Sequence, residues 1–387
     1  MPEPFAINIP EREIEDLQDR LARARWPDAI TGAGWSQGTD LAFLEQLMRH
    51  WQHDYDWRTH EKALNAFSHF RAPVDGLGIH FIHERGKGPN PMPLLLGHGC
   101  FSNFYEFHKV IRSLSDPASS GGDPNDAFDV VAWSLPGFGF SDKPQEAGFG
   151  TARMAEVAHR LMTDTLGYSR YGACGGSWSG QIATRLGYSH ADAIIGLHLT
   201  QANPPARPEE TPGSPPLSDA EHELIRITSE FRKEETGYLA LLTTRPQSLA
   251  YALADSPTGL AGWVVEKLRA WSDCHGDLGS TFTLEEVLTS ISITWFTNTV
   301  ASGQRLYYEM LHGDWAPGPG EMITVPTGVL ALPGGIPNET SPPETIRRRF
   351  NLQHYRMSPA GGHYPALEIP RILTEEIRTF FRPLRQE

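Results

Sequence analysis

Three short stretches of the chain carry residue types suited to nucleophilic chemistry. In Tyr171-Gly172-Ala173-Cys174-Gly175-Gly176-Ser177-Trp178-Ser179-Gly180-Gln181, an apolar run enters two glycines, one hydroxyl residue and then small residues that can open a helix. That order predicts a strand-turn-helix elbow, whose sharp turn lifts the Ser177 hydroxyl above a sheet. Gly175 and Ser179 are the small residues two before and two after it, where backbone and helix must approach closely. A serine after glycines also caps ordinary helices, so the elbow reading depends on what flanks it. Gly361-Gly362-His363-Tyr364, late in the chain, places a histidine where a base for Ser177 belongs. Gly97-His98-Gly99-Cys100 follows another apolar run, and the backbone N–H of Cys100, with that of Trp178, would face an oxyanion.

The surrounding pattern supplies the elements that must hold these stretches. Alternation over residues 78–83, and compact apolar runs at 92–96, 128–133, 170–174, 194–200, 324–332 and 354–358, predict strands. Helical periodicity at 10–25, 41–51, 152–166 and 370–381 separates or flanks them. Strands alternating with helices predict a mostly parallel α/β sheet covered on both faces. With the elbow and the order nucleophile, acid, histidine, that is the α/β-hydrolase fold. Residues 203–216, rich in proline, read as a linker, and the helical, aromatic segments after it as an inserted lid. The expected division is an N-terminal wrapping segment (1–75), a core (76–203 and 318–387) and a helical lid (204–317).

Composition narrows the partners. The chain has 387 residues, 39% of them hydrophobic and 21% charged, as expected of a globular enzyme. A net charge of −14 disfavours nucleic acid and anionic membranes. Cys100, Cys174 and Cys274 form no CxxC pair, so no zinc site or other cofactor is expected, and a reducing compartment is the simpler assumption. The first residues carry acids and a proline where a signal peptide needs a basic start and an apolar run, and no run reaches the ~18 apolar residues of a membrane span. A cytoplasmic location is expected. The oligomeric state stays open, a homodimer included.

Several separated segments, in order, resemble the microsomal-type epoxide hydrolases over nearly the whole chain. They are Arg25-Trp26-Pro27-Asp28, Asp56-Trp57-Arg58, residues 64–67, Asp75-Gly76-Leu77, Phe104-Tyr105-Glu106-Phe107, residues 134–141 and residues 254–261. Three departures fall on the chemistry. The resemblance implies an elbow aspartate that attacks the epoxide carbon, and Ser177 stands there. Locally, Gly175-Gly176-Ser177-Trp178 looks more like the elbow of prolyl aminopeptidases. The proline that the family places after the residue matching Cys100 is Phe101 here. The family's orienting acid falls at about Gly335, and Glu339, four residues on, is the nearest local substitute. The resemblance also implies that Tyr238 and Tyr307 are the lid tyrosines that hydrogen-bond an epoxide oxygen, although aromatic packing explains them equally. Tyr238, Tyr307 and Phe101 are the expected substrate contacts.

A serine attacks acyl carbons well when a histidine takes its proton. It opens epoxides badly, because water cannot hydrolyse the resulting ether as it does an aspartyl ester. The expected activity is therefore acyl transfer on a small apolar ester, lactone or thioester through Ser177, His363 and Glu339. Three alternatives stay open. One is acid-base catalysis of isomerisation, cyclisation or hydration without a covalent step, and another is a binding protein on an inactive scaffold. The third is an epoxide hydrolase in which serine replaces a native aspartate.

Overall fold

A computed structural model of the protein describes residues 1–202 and 215–386, apart from 314, 316 and 319. Its nine strands are β1 (Glu3–Pro4), β2 (His69–Val74), β3 (Leu77–Glu84), β4 (Met92–Gly97), β5 (Phe128–Trp133), β6 (Tyr171–Gly175), β7 (Ile194–Leu199), β8 (Ile323–Ala331) and β9 (Phe350–Met357). They form one sheet in the order β1-β2-β3-β5-β4-β6-β7-β8-β9. The pairs from β5 through β4, β6, β7 and β8 to β9 are parallel, and the β1–β2, β2–β3 and β3–β5 pairs antiparallel. The expected mostly parallel sheet is thus present, and six of the seven expected strands match within two residues at each end. The exception is β9, which begins at Phe350 rather than at 354.

Two strands were not anticipated, β1, of two residues, and β2. His69–Val74 pairs antiparallel with β3 in register, His69 opposite Ile82 and Val74 opposite Leu77. Phe70, Ala72 and Val74 do alternate with polar positions, but the run is short and Pro73 within it reads against a strand. Pro73 is tolerated because the two-residue β1 reaches only Phe70 and Arg71, so no ladder hydrogen bond is lost at Pro73. The helix Trp57–Leu64 was also missed. Asp56 caps it, accepting from the N–H groups of Arg58 and Thr59.

Helices cover both faces of the sheet. On one, Phe380 and Phe381 of the helix Pro370–Phe381 press into the space left by strand glycines. A Cβ on Gly172 would lie 2.7 Å from Phe381, and one on Gly328 2.6 Å from Phe380. On the other, the helix Ser177–Ser189 packs through Gly187 against Leu197, Val325 and Ile323. Six helices between residues 219 and 312 are inserted between β7 and β8. The proline-rich stretch expected as a linker lies, except for its last two residues, outside the described residues. The N-terminal helices dock on this insertion. Trp51 Nε1 donates to Ser292 Oγ at 3.1 Å, and the Tyr55 and Thr289 hydroxyls share a hydrogen bond. None of the described helices is long and apolar enough to cross a membrane.

Candidate active site

The three stretches singled out in the sequence meet at the carboxyl ends of β4, β6, β8 and β9, where open α/β sheets place their ligands. Ser177 follows β6 by two residues and starts its helix with φ 50°, a left-handed conformation that a non-glycine residue adopts only under constraint. The constraint is visible. The Ser177 N–H donates to Oε1 of Gln201 at 2.8 Å, and Ser179 Oγ donates to the His98 carbonyl at 2.7 Å. The expected elbow is therefore present, tied from one side just beyond the end of β7 and from the other by the loop after β4.

That loop is packed against the serine. A Cβ on Gly99 would lie 2.8 Å from Ser177 Cβ, so only glycine fits. The Cys100 N–H donates to Ser177 Oγ at 3.3 Å, a direction suited to a developing oxyanion at the elbow. Trp178, the second helical residue, has one of the N–H groups that a helix N-terminus leaves without an intrahelical acceptor. His98 is fully buried, and burial pushes its imidazole down to about 4. As neutral imidazole it accepts from Leu135 N–H through Nε2, which assigns its Nδ1 proton to the Gly99 carbonyl. Phe101 takes φ 54° where the family's proline was expected. Its ring lies against those of Tyr238, Trp271, Trp263 and Tyr307.

His363 follows β9 on a loop held rigidly by the insertion. Its N–H donates to the Trp271 carbonyl at 2.8 Å, and Asp273 Oδ2 accepts from Gly361 N–H at 2.8 Å. The Glu368 carboxylate accepts from the N–H groups of Gly362, Tyr364 and Asp273. His363 Nδ1 is bonded to the Glu339 carboxylate, and both side chains are almost wholly buried. Glu339 lies on a short turn after β8, fixed by Leu332 N–H to its carbonyl at 3.0 Å and by Ile336 N–H to its Oε2 at 3.1 Å. Burial alone would depress the His363 imidazole, but the Glu339 carboxylate and the Cys100 thiol beside it hold it well above its ordinary value. Burial raises the Glu339 carboxyl in turn.

A cavity of about 50 Å³ opens beside this cluster. Cys100, Phe101, Trp178 and Tyr307 line it, together with Trp263 and Gln304 from the inserted helices. Its walls carry polar atoms that satisfy no hydrogen bond among the described residues, namely Trp178 Nε1, Trp263 Nε1, Tyr307 Oη and both amide atoms of Gln304. Buried groups left this way are prepared for a ligand or water. Tyr238 is not among the lining residues. It stands behind Phe101, edge-on to Trp271 and Tyr307, with the Lys267 ammonium 4.9 Å from its ring centre. The sequence reading missed Gln201 and Gln304. Gln304 could have been found, because it precedes Tyr307 by three residues on one helical face.

The comparisons with known proteins agree with this architecture. The family described as the epoxide hydrolase N terminus matches residues 2–107, and the α/β hydrolase fold family matches 92–222. A Stigmatella aurantiaca protein, provisionally named an epoxide hydrolase, is 40% identical over 99% of this chain and 85% of its own length. Epoxide hydrolase 1 of Oryctolagus cuniculus is 32% identical over 97% of this chain and 88% of its own. The chain belongs to the microsomal-type epoxide hydrolase family. It is a hydrolase of the α/β-hydrolase superfamily. The structure of Aspergillus niger epoxide hydrolase superposes with a TM-score of 0.84 at 27% identity, covering 99% of this chain and 97% of that one. The juvenile hormone epoxide hydrolase of Bombyx mori gives a TM-score of 0.83 at 26% identity, covering 100% and 94%.

Proposed function

We propose that this member of the family cleaves an acyl bond, that of a small, largely apolar ester, lactone or thioester, through an acyl-enzyme on Ser177. The observation that carries this reading is the reconstruction of an acid-histidine pair, Glu339 bonded to His363 Nδ1, opposite an elbow that presents a serine. In this mechanism Ser177 Oγ attacks the acyl carbon while its proton passes to His363 Nε2, and Glu339 fixes the tautomer and stabilises the imidazolium. The N–H groups of Cys100 and Trp178 receive the negative charge on the acyl oxygen. The leaving alcohol or thiol then takes the proton from His363, and the freed imidazole activates water on the acyl-enzyme. The orphaned amide of Gln304 and the Tyr307 hydroxyl offer polar contacts within an otherwise apolar and aromatic cavity, which supports an apolar substrate bearing one or two oxygen functions. The inserted helices, which bring Trp263 and Gln304 to the cavity wall, act as its lid.

A second reading keeps the pocket without the covalent step. Tyr307 at the cavity wall and Tyr238 behind it, in a family whose relatives are named epoxide hydrolases, support hydration or isomerisation by His363 and a tyrosine acting as base and acid. Ser177→Ala separates the two on one panel of p-nitrophenyl esters, lactones and epoxides. The acyl-enzyme reading expects turnover to fall by about 10⁴-fold or more on loss of the nucleophile. Turnover undiminished in Ser177→Ala but lost in His363→Ala would establish the non-covalent reading instead.

A further inference from the structure

Between Ser177 and His363 lies a side chain that the serine mechanism leaves idle. Cys100 Sγ is 3.2 Å from Ser177 Oγ and 3.6 Å from His363 Nε2. His363 is oriented by Glu339, so Cys100, His363 and Glu339 stand in the order of nucleophile, base and acid. Of these residues and Ser177, Cys100 is the one that lines the cavity. A second observation concerns Tyr307, buried in the same wall, whose hydroxyl neighbours the Cys100 thiol without reaching it in hydrogen-bonding geometry and has no other partner among the described residues. Charge arising at Cys100, or on an acyl oxygen beside it, would give that O–H something to bind.

We propose that Cys100 is a second nucleophile of this site, activated by His363, which accepts the acyl group of thioesters. The proposal rests on the His363–Glu339 pair of the reading above and is independent of Ser177. Every element around the thiol agrees with it. Burial alone would raise the Cys100 thiol, yet His363, Ser177 and Tyr307 bring it below its usual value. The other titratable groups that act on it or on its base are Tyr238, Tyr364, Glu339 and Glu106, all substantially buried. Cys174, equally buried, stands opposite His198, which burial keeps neutral, and is pushed strongly the other way.

The substrate class follows from leaving groups. Thiolate attack on an alkyl ester gives a tetrahedral adduct that expels sulfur more readily than alkoxide, and so returns to reactants. In a thioester both departing groups are sulfur, and the adduct partitions forward. The Cys100 thiolate forms its S–C bond, the substrate C–S bond breaks, and the departing thiolate takes the proton of the His363 imidazolium. Water then attacks the Cys100 thioester, giving its proton to His363 and its hydroxyl to the acyl carbon. Carboxylic acid leaves, and the Cys100 thiolate takes the proton back from His363, restoring the thiol and the neutral imidazole that first accepted its proton on attack.

The test uses the full chain and its Ser177→Ala variant, each exposed to S-phenyl thioacetate, quenched in acid and mapped by peptide mass. Acetyl on Cys100 is expected in both proteins, and none at that peptide in Cys100→Ala. The unmutated protein also supports a measurement that needs no folded variant. At about pH 6, iodoacetamide should alkylate Cys100 at least about tenfold faster than Cys174 or Cys274, an advantage that His363→Ala removes. Absence of acetyl from Cys100 in Ser177→Ala overturns the proposal whatever happens at Ser177, and so does alkylation of Cys100 no faster than of Cys174. Acetylation of Cys100 in a protein whose Ser177 resists phosphonylation would sustain this proposal and refute the serine reading.

Discussion

The Glu339 carboxylate fills the space that a side chain on Gly335 would require, since a Cβ built on Gly335 would collide with Glu339 Oε2. The glycine and the glutamate are thus one device. The position at which the family's acid was expected is empty, and an acid one turn later reaches back into the vacated volume to meet His363. Each residue should therefore be intolerant of change while the other remains.

Gly335→Ala should displace the Glu339 carboxylate and cost activity much as Glu339→Ala does. Gly335→Asp combined with Glu339→Ala should recover part of the loss, because the aspartate would then stand in the cleared space. A double-mutant cycle on kcat/KM is expected to give a coupling of about 1–3 kcal/mol. A coupling near zero would mean that the two positions act separately.

Glu339→Gln keeps the shape and removes the charge. The carboxylate is what holds the His363 imidazole up against the opposing effect of burial, so its loss should lower that group. His363 must be neutral to act as base, and activity therefore fails below its pKa. The acid limb of the pH–kcat profile should accordingly move to lower pH in the variant, while the plateau falls by up to about 10⁴-fold as the tautomer is lost. An unchanged acid limb would show that His363 is not the group being titrated.

Tyr307→Phe should separate stability from function. The buried hydroxyl has no partner in the free protein, so deleting it should leave chemical-denaturation stability unchanged or raised by about 1 kcal/mol. The same change should lower kcat/KM by about tenfold or more if that hydroxyl meets the substrate. Equal stability with full activity would reduce Tyr307 to wall packing.

Gln201 supports the elbow from just beyond the end of β7, and its amide oxygen accepts from the N–H of the strained Ser177. Gln201→Leu should remove that acceptor, costing about 1–3 kcal/mol in urea denaturation. Phosphonylation of Ser177 should slow with it. Loss of stability alone, with labelling at the normal rate, would show that the bond supports the fold and not the geometry of the nucleophile.

Much of this was legible in the sequence. The parallel strands announced themselves as apolar runs bounded by glycines, and Ser177 and His363 were singled out by where they fall in that topology. Glu339 was legible as the nearest acid to an empty position. Side-chain reach was not legible. Nothing in the spacing shows that Glu339 enters the volume above Gly335, that Gln201 turns toward Ser177 N–H, or that the Cys100 thiol, expected only to lend its N–H, lies between nucleophile and base. β2 was hidden because its alternation is short and holds Pro73, and the Tyr238 ring, expected at the substrate, stands behind Phe101. Periodicity reports backbone and face, whereas these contacts depend on rotamers and on residues far apart in the chain.

The central claim is that His363 activates Ser177 for attack on an acyl-type centre. Intact-mass analysis after exposure to a small fluorophosphonate, with peptide mapping and His363→Ala alongside, tests it most directly. One adduct per chain, on Ser177 and absent from His363→Ala, is the predicted result. A folded protein that gains no adduct, or that labels equally well without His363, would contradict it.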